Sequence, residues 1–350
     1  MAKVAEVQKF KGTPGQIRRQ RIERVGAVVI SLILATWILV NIIESPQQFA
    51  QVAVLGLRNG MLYALIALGY TLVYGIIELI NFAHGDLFML SAVFSSYFIT
   101  VWFNQSESNP MGWLTFISCL FAVMAFGATV NVLIERLAYR RLRNAPRLAP
   151  LITAVGMSFL LNFIGLKWNG STPRQWPTVV PTNELVIAGV RINATTILLF
   201  FVVVPLLIAL NYIVAKTKSG KAMRATAQDK DAAALMGINV NRTIAFTFAI
   251  GGAMAGAAGL LYQQSIGTTN YNLGFQLGLI AFTSAVLGGI GNLWGAVVGG
   301  LLIGFIQGLN DGLPIALGQQ WSQSVVFVIL IIILVFKPAG LLGKVTTEKV

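Results

Sequence analysis

The chain has 350 residues, of which 56% are hydrophobic and only 11% are Asp, Glu, Lys or Arg. Soluble domains are about 25% charged, so a water-clothed globular enzyme is excluded, and the apolar content excludes a disordered chain. The formal charge of +13 comes from 25 Lys and Arg against 12 Asp and Glu, but the basic residues cluster between long uncharged stretches, the pattern of cytoplasmic loops on a membrane protein rather than a nucleic-acid footprint.

In chain order, residues 1–24 carry Lys3, Lys9, Lys11, Arg18, Arg19, Arg21 and Arg24 and read as a solvated cytoplasmic tail. Apolar stretches long enough to cross the hydrocarbon, which takes about 20 helical residues, follow at 25–43, 59–77, 87–103, 113–134, 151–166, 195–215, 244–262 and 321–336. The first lacks a small-residue cleavage site and is expected to be an uncleaved span rather than a signal peptide. Residues 275–317 are also apolar but broken near Gly288 to Gly295, as two spans or a pair of partial ones. The expectation is an all-α, polytopic membrane helix bundle of eight to ten hydrophobic segments over residues 25–340, with a short cytoplasmic tail at 341–350. A barrel would show strands of about ten residues with alternating polarity instead. With one cysteine, Cys119, and one histidine, His84, the chain has no internal disulfide and no local Cys- or His-rich metal motif.

Orientation follows from the Lys and Arg asymmetry. Besides the tail, the basic clusters are Arg136, Arg140, Arg141, Arg143 and Arg147; Lys216, Lys218, Lys221, Arg224, Lys230 and Arg242; and Lys337, Lys344 and Lys349. An even number of spans puts all of them, and both termini, in the cytoplasm. Residues 104–112 and 263–274 contain no Lys or Arg and fall outside. The polar, only weakly basic stretch 167–193 is expected to join them.

Polar groups at membrane depth are costly, so they mark candidate functional positions. The densest cluster runs from Glu78 to Asp86 and holds Asn81, His84 and Gly85 but no Lys or Arg. It reads as a broken or re-entrant stretch, with Asp86 capping a helix that begins at Leu87. A second interruption, with Gly288, Gly289, Gly291 and Asn292, lies in the other half of the chain. Paired interruptions point to a transport path between repeats, which makes Asn81, His84, Gly85, Asp86, Gly288, Gly289, Gly291 and Asn292 the pathway candidates. Glycines four apart, at 291, 295 and 299, at 300, 304, 308 and 312, and at 252 and 256, put glycine on one helix face and read as close helix–helix contacts. With 35 glycines in the chain, they carry no nucleotide fingerprint.

Residues 216–243 form the most informative loop: polar and basic, helix-favouring from Lys221 to Met236, with Gly237 placed as a C-terminal cap and an apolar tip of Leu235, Met236 and Ile238. An apolar knob on a charged loop fits docking onto another protein. A short amphipathic helix lying on the lipid surface fits equally well.

The stretch Asp231-Ala232-Ala233-Ala234-Leu235-Met236-Gly237 resembles the Glu-Ala-Ala-x-x-x-Gly loop of binding-protein-dependent ABC importer permeases, with Asp in place of Glu. The Ile-x-Leu-Pro that follows in that family is absent; the sequence there reads Thr247-Phe248-Ala249-Ile250, which fits a divergent branch. That branch is the branched-chain amino acid permease family. Its signatures resemble three segments in order: Gly69 to Asp86, Arg224 to Ile238, and Ala281 to Ala296. The likeness covers roughly residues 50–340.

The resemblance implies import of branched-chain or other neutral amino acids, with relatives carrying urea or short amides. It implies a second homologous permease, two ATPase subunits that bind ATP and magnesium, a periplasmic substrate-binding protein, and a bacterial inner-membrane location. It makes Asp231, Ala232, Ala233, Leu235, Met236 and Gly237 the contact with the ATPase. No GxxxxGK[ST] occurs in the chain, so it lacks the phosphate-cradling loop of a nucleotide hydrolase. An alternative is a proton-coupled secondary transporter using Glu78, His84 and Asp86 as a relay. An intramembrane protease would need a nucleophile–base pair, and no recognisable serine motif partners His84.

Overall fold

The computed structural model describes residues 35–104, 113–143, 145–146, 148–177, 179–180 and 183–343. The basic tail at 1–24, the beginning of the first span, most of the loop at 104–112, Arg147, Lys344 and Lys349 lie outside the described residues. The chain divides into two compact units, ending and beginning at Pro46 and Gln47. Within the first, the described residues form one apolar helix, α1 (Ala35–Glu44).

The second unit is built from helices α2 (Pro46–Ile77), α3 (Ala83–Tyr97), α4 (Trp113–Ile134), α5 (Leu148–Asn169), α6 (Ala194–Lys216), α7 (Lys218–Gln228), α8 (Lys230–Leu235), α9 (Val240–Ile266), α10 (Leu273–Gly288), α11 (Leu293–Gly312) and α12 (Ser322–Phe336). π-helical turns at Phe98–Trp102 and Glu135–Tyr139 extend α3 and α4. Eight of the described helices are long and apolar enough to cross a membrane, and α1 and α10 are shorter apolar ones. The membrane bundle expected from composition is therefore observed. The apolar run at 275–317 resolves into two helices, α10 and α11.

Glycine spacing sets the packing. On α11, a methyl at Gly300 would stand 2.6 Å from the Ala64 backbone, and one at Gly308 would stand 2.6 Å from the Gly56 Cα. The α2 and α11 backbones thus touch along an antiparallel seam from Gly56 and Gly60 to Gly304 and Gly308. Gly252 and Gly256 seat α9 on Gly127 and Val123 of α4, and Gly288, Gly295 and Gly299 close the α10–α11 hairpin. The glycine rows are contacts within this chain, where dispersion over a long close approach substitutes for the missing hydrophobic drive in lipid. By contrast α5, α6 and α12 are mostly unburied; their exposed Phe159, Phe163, Phe201 and Ile331 form apolar outer faces.

Loops at each end of the bundle are tied to one another. At one end, two short strands pair antiparallel, β1 (Arg174–Gln175) with β4 (Thr268–Thr269), which joins the two loops expected outside. The hairpin β2 (Glu184–Ile187) and β3 (Val190–Asn193) lies in the same stretch. At the other end the Arg143 guanidinium donates to Asn241 Oδ1 at 2.6 Å, joining two of the basic clusters.

Candidate functional site

Two regions carry the sequence candidates: a projecting loop and a pair of interruptions. The loop is held on the bundle by one side only. Thr217 caps α7 through the Gly220 amide at 3.1 Å, and Met223 and Thr226 are buried beneath it. The Ala-rich run from Lys221 to Met236 is not one helix, as composition alone suggested. It breaks at Asp229, whose extended backbone (φ −158°) lets its carboxylate accept from the amides of Asp231 and Ala232, both at 2.9 Å. An N-cap side chain this good starts a new helix even inside a helix-favouring run.

That new helix, α8, presents the sequence candidates in a fixed order. Asp231 sits in its first turn, Ala232 is exposed, and Ala233 is buried against the bundle. Leu235 and Met236 are 89% and 83% exposed at its tip. Gly237 then adopts φ +81°. Its amide bonds to the Ala234 carbonyl at 3.0 Å and the Ile238 amide to that of Ala233 at 3.1 Å, the paired reverse bonds of a glycine-terminated helix. Ile238 is half-buried and borders a cavity of about 590 Å3 that also includes Arg136, Arg242 and Phe246. Nearby, the buried Glu135 pairs with Arg140 at 2.8 Å and with Arg143, so the root of the loop is fixed to the end of α4.

The interruptions are observed at residues 78–82 and 289–292. Each connects two separate helices rather than splitting one span, and the two helices flanking the second fold back on each other as the α10–α11 hairpin. They come together in space: Gly75 faces Gly291, and Ile80 and Ile290 border one small cavity with Tyr70 and Phe282. The pathway candidates divide by what they touch. Asn81 is a buried brace. It accepts from the Tyr139 hydroxyl at 3.1 Å and donates to Asn131 Oδ1 at 3.4 Å, and Asn131 donates on to the Phe248 carbonyl at 2.7 Å. His84 is fully buried, edge-on to Tyr70 with ring centroids 4.8 Å apart, and a side chain on Gly69 would fall on its imidazole. Gly85 abuts Gly274 and Gly278 of α10, and Gly288 abuts Gly295. Gly289 (φ +107°) and Gly291 (φ +89°) make the turn into α11. Asn292 caps α11 through the Trp294 amide at 3.0 Å and ties down the Leu342 carbonyl at 2.8 Å.

Asp86 differs from these. Helix α3 begins at Ala83, with no side-chain cap at Phe82, so Asp86 is a first-turn residue and not the cap of a helix starting at Leu87. Its carboxylate accepts from the Ser158 hydroxyl, and its other oxygen is buried without a hydrogen-bond partner among the described residues. It borders a cavity of about 460 Å3 between α3, α5 and α10, with Asn162 and Asn272 as polar neighbours and Val155, Phe159 and Phe275 around it. Among the described residues no hydrogen bond links Glu78, His84 and Asp86, and Glu78 is exposed at φ +57°.

Comparison with known proteins gives the family. The family model described as "Branched-chain amino acid transport system / permease component" matches residues 52–335. The chain belongs to that family. It is a permease component and a multi-pass membrane protein, not an ATPase. The high-affinity branched-chain amino acid transport permease BraD of Pseudomonas aeruginosa is 40% identical over 308 residues, covering 86% of this chain and 98% of BraD. LivH of Escherichia coli, a permease of the same description, is 39% identical over 300 residues, 84% of this chain and 96% of LivH. The autoinducer 2 import permease LsrC of Photorhabdus luminescens is 25% identical over 309 residues, 87% of each chain. No solved structure matches the chain.

Sequence reasoning missed the residues that secure these sites. Asn131 is a single amide in the apolar helix α4, Tyr139 ends a charged turn, and Asp229 is one charge among many. Arg58, the lone cation in the 32 residues of α2, was the available signal for a further polar region.

Proposed function

We propose that this chain is one of two paired permeases of an ATP-driven importer for branched-chain or other neutral amino acids in the bacterial cytoplasmic membrane, with both termini in the cytoplasm. A substrate-binding protein delivers the solute from outside, and two separate ATPase subunits bind ATP and magnesium. The observation that carries this reading is the capped, solvent-exposed tip of α8 on a chain about 40% identical to BraD. Two large apolar side chains held out by a rigid cap form a preorganised docking element, and the flanking Asp231 and Lys230 give it a polar rim.

ATP-driven closure moves the docked tip, and the tip moves the helices rooted beside it, α7 and α9. That movement transmits work only if the tip has a different contact free energy in each state of the transporter. The close glycine seams make α2–α11 and α4–α9 stiff pairs able to move as units. Asp86 is the one charged side chain that borders the cavity between α3, α5 and α10, a position suited to a cation such as a solute ammonium group. The unlinked positions of Glu78, His84 and Asp86 favour ATP coupling over a proton relay.

The test is Gly237→Arg. Copurification of the ATPase with this permease is lost while the bundle stays folded and monodisperse in detergent; unchanged assembly refutes the docking role.

A further inference from the structure

A further cavity, of about 510 Å3, lies at the end of the bundle opposite the basic loops, between α2, α9, α10, α11 and α12. Its size falls within the range of small-molecule sites, about 300–1,000 Å3. Its walls are polar although they belong largely to membrane-length helices: Asn59, Tyr63, Gln276, Gln307, Asp311 and Gln323 all face it. Polar side chains on such helices are costly unless they line an aqueous cavity or meet one another. Here the one direct pairing among the six is the Tyr63 hydroxyl donating to Gln307 Oε1 at 2.7 Å.

One charged side chain lines the cavity. The Asp311 carboxylate accepts from the Ser322 hydroxyl and, at 3.3 Å, from the Asn310 amide, but forms no ion pair among the described residues. The side-chain amides of Asn59 and Gln323 line the cavity as well, and neither forms a hydrogen bond among the described residues. One carboxylate without an ion pair and two free amide donors lining a polar cavity match a small zwitterion, whose two charges would otherwise have to lose water without compensation.

We propose that this cavity is an outer reception site for the zwitterionic head of an α-amino acid, with Asp311 receiving the ammonium group and the side-chain amides of Asn59 and Gln323 receiving the carboxylate. This rests on the reading of the chain as an amino acid permease and adds a solute contact in this subunit, separate from Asp86 and from the docking tip. Charge-assisted hydrogen bonds of this kind contribute about 1.5–3 kcal/mol each, so losing one weakens binding about ten- to a hundredfold.

The experiment uses the assembled transporter in proteoliposomes with Gln276→Cys as the reporter; the native Cys119 is buried and gives little background. Modification of the introduced thiol by a water-soluble thiosulfonate is slowed by L-leucine, but not by 4-methylpentanoate, which lacks the amino group, nor by 3-methylbutylamine, which lacks the carboxylate. Asp311→Asn shifts the leucine concentration for half-protection upward about ten- to a hundredfold, and Asp311→Glu restores it in part. Absence of leucine protection, or equal protection by all three compounds, overturns the proposal. Leucine uptake by the same vesicles before labelling separates the two claims. Vesicles that take up leucine without protection defeat only the reception site, whereas vesicles with no uptake defeat the amino acid reading itself.

Discussion

Truncating the α8 tip isolates docking from folding. Leu235 and Met236 are 89% and 83% exposed, so their side chains contribute little to the packing of this chain. Ala at either position keeps the helix propensity and leaves Gly237 and Asp229 to cap the helix. On docking, Leu235→Ala forfeits burial of three carbons, at about 0.8 kcal/mol for each, reduced to about 2 kcal/mol for incomplete burial. That is roughly thirtyfold in dissociation constant. Met236→Ala loses a similar amount, and the double variant loses about 4 kcal/mol, near a thousandfold. The assay is equilibrium binding of the purified ATPase to the permease pair in nanodiscs, read beside thermal unfolding of the permease alone. The expected result is weakened binding with an unchanged unfolding midpoint. Unchanged binding with both side chains removed refutes the tip as the docking element, and a lowered midpoint refutes the premise that these side chains are free.

The remaining predictions concern the interior. Gly69→Ala pushes a methyl onto the buried His84 ring and lowers stability by about 1–3 kcal/mol; in a double-mutant cycle, His84→Ala relieves part of that loss, and strictly additive effects contradict the contact. Asn131→Leu strands the Asn81 amide and the Phe248 carbonyl and costs about 2 kcal/mol or more in detergent unfolding; an unaltered unfolding curve would remove the brace. Asn292→Ala removes the α11 cap, at about 1 kcal/mol, and releases the Leu342 carbonyl, so amide exchange speeds up at Leu341 and Leu342, which now bond to the carbonyls of Leu287 and Gly288. Unchanged exchange at those two amides counts against the tether.

The legible parts of this protein are those written in local sequence. Hydrophobic length announces the helices, and the Lys and Arg clusters announce which ends belong together, as the β1–β4 pairing and the Arg143–Asn241 bond agree. Glycines four apart mark a face, and Gly56 and Gly60 meet that face because backbones without Cβ atoms can touch. The tip is legible because a C-terminal glycine and an exposed Leu-Met pair are adjacent in the chain. What was not legible depends on distance. Asn131 lies 50 residues from Asn81 and 117 from Phe248, so nothing local shows that they bond. The break at Asp229 is hidden because alanine favours helix on both sides and only the cap geometry decides. Asp86 was displaced by one turn, since Ala83 and His84 are already helical, and a first-turn acid looks much like a cap in sequence. The outer cavity draws on five helices, each apolar enough on average to mask its few amides.

Most of the candidate pathway residues turn out to hold the helices together. Asn81, His84, Gly85, Gly288 and Asn292 are each committed to a brace, a packed ring, a backbone contact or a cap. Position in an interrupted stretch therefore identified where the helices join, while a place beside a cavity is what Asp86 and Asp311, the two positions proposed for solute contact, have in common.

Energised uptake is the decisive measurement. Permease pair, ATPases and binding protein are reconstituted into sealed vesicles, and radiolabelled leucine is offered on the binding-protein side. Accumulation that requires ATP on the opposite side, vanishes without the ATPases, and does not respond to an imposed proton gradient is the predicted result. Uphill accumulation driven by a proton gradient with the permease alone would contradict it.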